Sequence, residues 1–103
     1  MIIEANYKFG PGEVVNHRRY GYRGVVLAAD PECRAPDEWY QRNQTQPDRD
    51  QPWYQVLVDG GNETYVAEEN LMLEPEPKPV EHPLVPLRFP TFLNGRYYTQ
   101  GLN

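Results

Sequence analysis

The stretch Phe9–Pro31, FGPGEVVNHRRYGYRGVVLAADP, decides the fold. Phe9-Gly10-Pro11-Gly12 is a turn, since glycine permits unusual backbone angles and proline fixes its own. Glu13–His17 reads as a short, partly buried strand, and Arg18–Tyr22 as a tight connection. Arg23–Asp30 is a second strand. Its run Val25-Val26-Leu27-Ala28-Ala29 is apolar without alternation, as in a strand buried on both faces. Pro31 ends it, because proline cannot extend a ladder.

Working outward, the pattern lapses from Glu32 to Gln51. Pro36-Asp37-Glu38-Trp39-Tyr40 suggests one helical turn with Asp37 as its N-cap, and Asn43–Gln51 reads as a polar, mobile loop. Trp53–Asp59 is a third strand, rich in aromatic and β-branched residues. Asp59-Gly60-Gly61-Asn62 is a hairpin signal, Glu63–Ala67 a fourth strand, Glu68-Glu69-Asn70 a 3₁₀ turn and Leu71–Leu73 a short fifth strand. The expectation is an all-β chain, a small five-stranded SH3-like barrel with one short helical turn and an extended C-terminal tail. Val14, Val25, Leu27, Trp53, Val56, Val58, Tyr65, Val66, Leu71 and Leu73 are its candidate core.

Residues 1–74 are expected to form the barrel. Glu74-Pro75-Glu76-Pro77-Lys78-Pro79 then reads as an extended linker. The remainder of 75–103 carries Val85, Leu87, Phe89, Phe92, Leu93, Tyr97 and Tyr98, too apolar for a free tail. It is expected to dock on the barrel or on a neighbouring subunit; a disordered terminus is the other reading.

Composition limits the function. A chain of 103 residues is a single small domain with a modest core. Eleven prolines argue against an all-helical fold. The mean hydropathy of -0.81, without a long apolar run, argues against a membrane protein. Met1–Asn6 lacks the basic and apolar regions of a signal peptide. With Cys33 as its one cysteine, the chain fits a reducing, cytoplasmic setting. His17, His82 and Cys33 lack the spacing of a metal site, and nothing orients a third group behind a Cys33–His17 nucleophile pair. No enzyme, no metal and no cofactor are expected.

The net charge of -5 weighs against indiscriminate nucleic-acid binding but is unevenly spread. Lys8, Arg18, Arg19 and Arg23 cluster early, whereas seven acids face a single lysine across residues 59–81. The sharpest candidate is His17, Arg18, Arg19, Tyr20, Tyr22 and Arg23: arginines grip phosphates or carboxylates, and tyrosines stack on bases or peptide groups. The competing reading is a solvated hairpin tip. For DNA, three neutralised phosphates would give an about fortyfold loss of affinity over a roughly fourfold rise in salt. Trp39 and Tyr40, with Trp53 and Tyr54, are a second candidate as a shallow peptide groove; Trp53 reads better as core. Glu68 and Glu69 are a third, facing either a basic partner or water.

The two blocks around these residues resemble the YccV-like family, the hemimethylated-DNA-binding domain typified by HspQ heat-shock proteins. The matching positions are Phe9, Gly12, Val15, His17, Arg19, Tyr20, Gly21, Tyr22, Gly24, Val25, Asp30, Pro31 and Trp39, then Gln51, Pro52, Tyr54, Val56, Leu57, Val58, Tyr65, Val66, Glu69, Asn70 and Leu71. They cover residues 7–74. The resemblance implies an SH3-like barrel without catalytic activity. It implies an adaptor or specificity factor for an ATP-dependent protease, acting on the protease or its substrate, or else a protein that binds hemimethylated DNA near a replication origin. The module also occurs fused into a chloroplast protease adaptor and an F-box protein, both in protein degradation. Cys33 departs from the aromatic residue common in the family. The tail is longer than in the short bacterial members and resembles the segment that follows the module in the F-box protein, which leaves oligomeric state and partner open. A structural or oligomerisation role is the third reading.

Overall fold

Four consecutive strands run back and forth as a meander, and a fifth returns to pair with the first. The computed structural model describes residues 6–100, so the reading of Met1–Asn6 falls, apart from Asn6, outside the described residues. The strands are β1 (Val14–His17), β2 (Arg23–Asp30), β3 (Trp53–Val58), β4 (Glu63–Ala67) and β5 (Leu71–Leu73), all antiparallel in the order β4-β3-β2-β1-β5. A 3₁₀ turn, Glu68–Asn70, links β4 to β5. The expected barrel closure is not present: β4 and β5 are the two ends of one hydrogen-bonded sheet and do not pair with each other. β5 has only three residues, and their ladder is formed with β1 (Val15 opposite Leu73, His17 opposite Leu71).

Both faces of this sheet are buried. Phe9, Val15, Val26, Tyr54, Val56, Val58, Val66 and Leu71 pack together on one side. Val14, Val25 and Leu57 point the other way, against Val80, Val85, Phe89 and Tyr97 of the C-terminal segment. Alternation along a strand produces this split, because successive side chains take opposite faces. A β-bulge resets the phase: pairing of β2 with β3 shifts between Val26 and Ala28, so Val26 before it and Ala29 after it both face the first cluster. Leu27, a core candidate, sits at the bulge and is only partly buried. Leu73, another, is 50% exposed, because it lies on the unclosed edge.

The tail is not simply extended. It forms a helical turn, α2 (Val85–Arg88), and a hairpin of β6 (Thr91–Leu93) and β7 (Arg96–Tyr98). Asn94 and Gly95 make the hairpin turn with φ of 53° and 80°, the left-handed angles that a two-residue turn demands. β7 meets the sheet at a Glu13–Arg96 bridge. There a Cβ on Gly12 (φ +93°) would stand 2.1 Å from the Tyr97 carbonyl oxygen, so the contact requires glycine. The buried Tyr97 hydroxyl accepts the Val80 N–H at 2.8 Å. Arg23 donates to the carbonyls of Lys78 (3.0 Å) and Pro79 (2.6 Å) and lies 3.6 Å from Asp59.

The insertion between β2 and β3 holds the first helix, α1 (Asp37–Arg42), capped by Pro36 rather than Asp37. Asp37 lies in the first turn, with its Oδ1 3.3 Å from Arg49 Nη1, an ion pair without hydrogen-bond alignment. The stretch read as a mobile loop is pinned at several points. Arg49 donates to the Ala35 carbonyl at 2.6 Å and lies over the Tyr40 ring. The Tyr40 hydroxyl donates to the Pro47 carbonyl, and the Trp53 indole to that of Asp48. Trp53 is core, with Cys33 and Ala67 beside it.

Phe89 is 3% exposed and Leu87 is 77% exposed. Phe89→Ala is therefore expected to lower stability by about 3 kcal/mol, and Leu87→Ala by less than about 0.5 kcal/mol. Urea denaturation of the two variants checks this.

Candidate functional site

The connection between β1 and β2 is built around His17. Its ring is buried, and its Nδ1 accepts the N–H groups of Arg19 (3.1 Å) and Tyr20 (3.0 Å). Gly21, at φ 73°, lets the turn close with its N–H on the His17 carbonyl. Tyr20 stacks on the imidazole with centroids 4.6 Å apart, and Tyr22 leans on it at 5.0 Å. Burial, and then the charge of Arg19, hold the His17 pKa below its ordinary value. A neutral imidazole is what this turn needs, because a protonated Nδ1 cannot accept. Burial also raises the Tyr22 pKa.

The three arginines of the connection do different things. Arg18 lies against β5: its N–H donates to the Asn70 carbonyl and its Nε to that of Leu71, at 3.1 Å. Arg19 is exposed, with its guanidinium carbon 5.7 Å from the Tyr20 centroid. Arg23 is committed to Asp59 and to the linker carbonyls.

On α1, Trp39 is half-buried, edge-on to Trp53 at 6.2 Å and to Tyr65 at 5.8 Å. Tyr40 is also edge-on to Trp53, at 6.3 Å. Tyr65 donates to Asp30 at 2.6 Å; burial, then that bond, push its pKa up to about 12. Glu68 accepts the Tyr54 hydroxyl at 2.6 Å and the Lys8 N–H at 3.1 Å. Burial, then the bond to Glu68, push the Tyr54 pKa up. Glu69 exchanges hydrogen bonds with Gln51 and is exposed.

A groove of about 410 Å³ joins two of the three sequence candidates. His17, Tyr20 and Tyr22 line one side, Trp39, Asn43, Gln44, Thr45 and Pro47 the other, with β4 along the groove. The Tyr20 hydroxyl donates to Gln44 Oε1 across it at 3.0 Å. Among the described residues, no Asp or Glu lines it. A wider hollow of about 700 Å³ continues past Trp39, sharing Asn43, Thr64 and Tyr65 and adding Leu27, Asp30, Arg34 and Glu63. Arg18 and Arg19 flank the first groove through their neighbours His17 and Tyr20, while Arg23, Tyr40, Glu68 and Glu69 stand outside both linings.

Asn43, Gln44, Thr64, Tyr65 and Asn70 are groove residues that sequence reasoning did not select. The amides lie in aperiodic stretches, and the strand pattern marks Tyr65 as core. Flat rings, amides and exposed guanidiniums are the equipment of binding. His17 already serves the turn, and Cys33 is buried beside Trp53 and Ala67. Among the described residues, no group of three His, Cys, Asp or Glu is placed to hold a metal, and no helix is long and apolar enough to cross a membrane.

The His17 geometry has a consequence for stability. As pH falls, the unfolded chain takes up this proton first, because the folded value is the lower one. The contribution is complete above the ordinary pKa of 6.5 and is lost as pH falls from there through the lowered folded value. Urea midpoints measured from neutral to mildly acidic pH are expected to drop for the native chain. His17→Asn should start lower and lack this part of the slope.

Comparison with known proteins accords with this equipment. The family model YccV-like, described as hemimethylated DNA-binding protein YccV like, matches residues 7–96. The match continues past the five-stranded sheet into the β6–β7 hairpin, farther than the resemblance read over 7–74. Mouse F-box only protein 21 is 37% identical over 89 residues, 84% of this chain and 14% of that protein. The orangutan (Pongo abelii) and human proteins of the same name are 36% identical over the same shares. The chain thus spans 14% of the length of these relatives.

Proposed function

The chain belongs to the YccV-like family, and from that premise we propose that it is a non-catalytic module that holds an extended polypeptide segment. The groove joining Tyr20, Tyr22 and Trp39 carries this reading. We read the fold as an SH3-like barrel left open at the β4/β5 seam, with residues 1–74 as the barrel and 75–103 as its docked cover. The proposed role is that of an adaptor or specificity factor in ATP-dependent proteolysis, in the cytoplasm. An adaptor needs modest affinity at each contact, because tethering raises the local concentration of substrate at the enzyme. An aromatic groove with amide rims suits a polypeptide better than a duplex, which calls for many cations.

Trp39→Ala is expected to weaken partner binding about thirtyfold, the loss typical of a central aromatic anchor. It should abolish the adaptor's effect on substrate degradation while the circular dichroism spectrum is retained. Calorimetry with the purified protease or its substrate, alongside the degradation rate, measures both. Unchanged binding and turnover in Trp39→Ala and Tyr20→Ala would overturn the groove assignment.

The family description supports a second reading, binding of hemimethylated DNA. With Arg23 engaged by Asp59 and the linker, Arg18 and Arg19 are the phosphate contacts left in the loop. Two contacts lower the expected effect of a roughly fourfold rise in salt from about fortyfold to about twelvefold. Gel shifts with hemimethylated and fully methylated duplexes across that range test it: Arg18→Ala with Arg19→Ala should flatten the slope, and absence of any complex at low salt would exclude DNA.

A further inference from the structure

The two edges of the sheet are treated differently by the chain. At β5, the ladder to β1 uses Glu74, Met72 and Asn70, so the Leu71 carbonyl faces outward. Arg18 Nε caps that carbonyl at 3.1 Å, and Pro75 follows at once. A side chain and a proline blunt this edge. At β4, Val58 N–H donates to the Asn62 carbonyl and Glu68 N–H to that of Pro52. In an antiparallel ladder the bonded pairs alternate, so Thr64 and Val66 bond to β3 (opposite Val56 and Tyr54). The N–H and C=O groups of Glu63 and Tyr65 then point away from the sheet, and among the described residues they have no hydrogen-bond partner. β4 contains no lysine and no proline, and the groove beside Tyr20 runs along its residues Thr64–Ala67.

We propose that the outer edge of β4 receives the extended polypeptide as an added strand, through main-chain hydrogen bonds at Glu63 and Tyr65. This rests on the groove reading and specifies its mode. Unpaired backbone donors and acceptors in register are complementary to another backbone, whereas a side-chain-only groove needs none. Charge sets which residues an antiparallel incoming strand carries at its two ends. The part of the groove beside Tyr20 has no acidic lining and is flanked by Arg19, with Glu69 turned to Gln51. At the other end of β4, Glu63 is exposed. An antiparallel strand therefore enters with an acidic residue near Ala67 and leaves with a basic one near Glu63. The occupant is a partner's extended segment and not a second copy, whose own β4 has no basic residue and runs on into Glu68 and Glu69, so that it would bring acids rather than a cation to the Glu63 end.

Amide exchange on the isotope-labelled full chain tests this, using the synthetic peptide Glu-Val-Thr-Val-Thr-Val-Lys and a twin N-methylated at alternate residues. The unmodified peptide is expected to slow exchange at Tyr65 and Glu63 about tenfold, the worth of one net hydrogen bond. The methylated twin should leave both amides unchanged, and the reversed sequence should bind more weakly. Equal binding of peptide and twin with no protection at Tyr65 overturns strand addition while leaving groove binding intact. Failure of every peptide to engage, with Trp39-dependent partner binding preserved, overturns it as well. Protection of Tyr65 that grows with protein concentration alone would assign the edge to a second copy and overturn the choice of occupant.

Discussion

Val25 and Val26 are adjacent in the chain, completely buried, and on opposite faces of one sheet. That constraint governs the rest of the structure. The cluster around Val26 is filled by the sheet's own strands with Phe9, but the Val25 face needs a second source of apolar surface. Here Val80, Val85, Phe89 and Tyr97 supply it. Each buried side chain of this size contributes about 1.5–3 kcal/mol, a large share of a small domain's margin. The C-terminal segment is a structural layer, and Arg23, Gly12 and the Tyr97 hydroxyl fix its path.

This arrangement decides which surface is open for recognition. The tail occupies the Val25 face and takes Arg23 with it. Glu68 is held by Tyr54, and Arg18, though exposed, is anchored through its Nε to the Leu71 carbonyl. What remains accessible is the seam beside β4, where the His17 turn and the α1 insertion face each other across Trp39. The basic cluster of the sequence is thereby divided: one arginine holds the tail, one caps a strand edge and one projects to solvent. A site rich in cations on paper becomes an aromatic groove with a thin basic margin.

Much of the fold was legible because its signals are local. The five strands, the Asp59–Asn62 hairpin and the 3₁₀ turn follow from alternation and turn chemistry, and the Val25–Ala29 run announced burial on both faces that holds for Val25 and Val26 but only in part for Leu27, Ala28 and Ala29. Closure was not legible, because whether β4 meets β5 depends on long-range curvature that no local pattern encodes. The bulge at Leu27 was hidden in an unbroken apolar run, where a change of phase leaves no trace. Asn94-Gly95 did carry a hairpin signal, but prolines on its N-terminal side obscured it. Of the site, Tyr20, Tyr22 and Trp39 could be chosen as aromatics outside the evident core. Asn43 and Gln44 could not: their place in the groove depends on Arg49 and Tyr40 folding the insertion back. His17 was read as a binding residue, but the backbone donors it accepts became visible only in three dimensions.

The central claim is that the seam beside β4 and Trp39 grips polypeptide. A photoreactive side chain placed at Gln44 tests it most directly. The chain is offered an ATP-dependent protease with its substrate and a hemimethylated duplex together, and is then irradiated. The account predicts a covalent adduct with protein, lost when Trp39 is replaced by alanine. An adduct with DNA alone would contradict it.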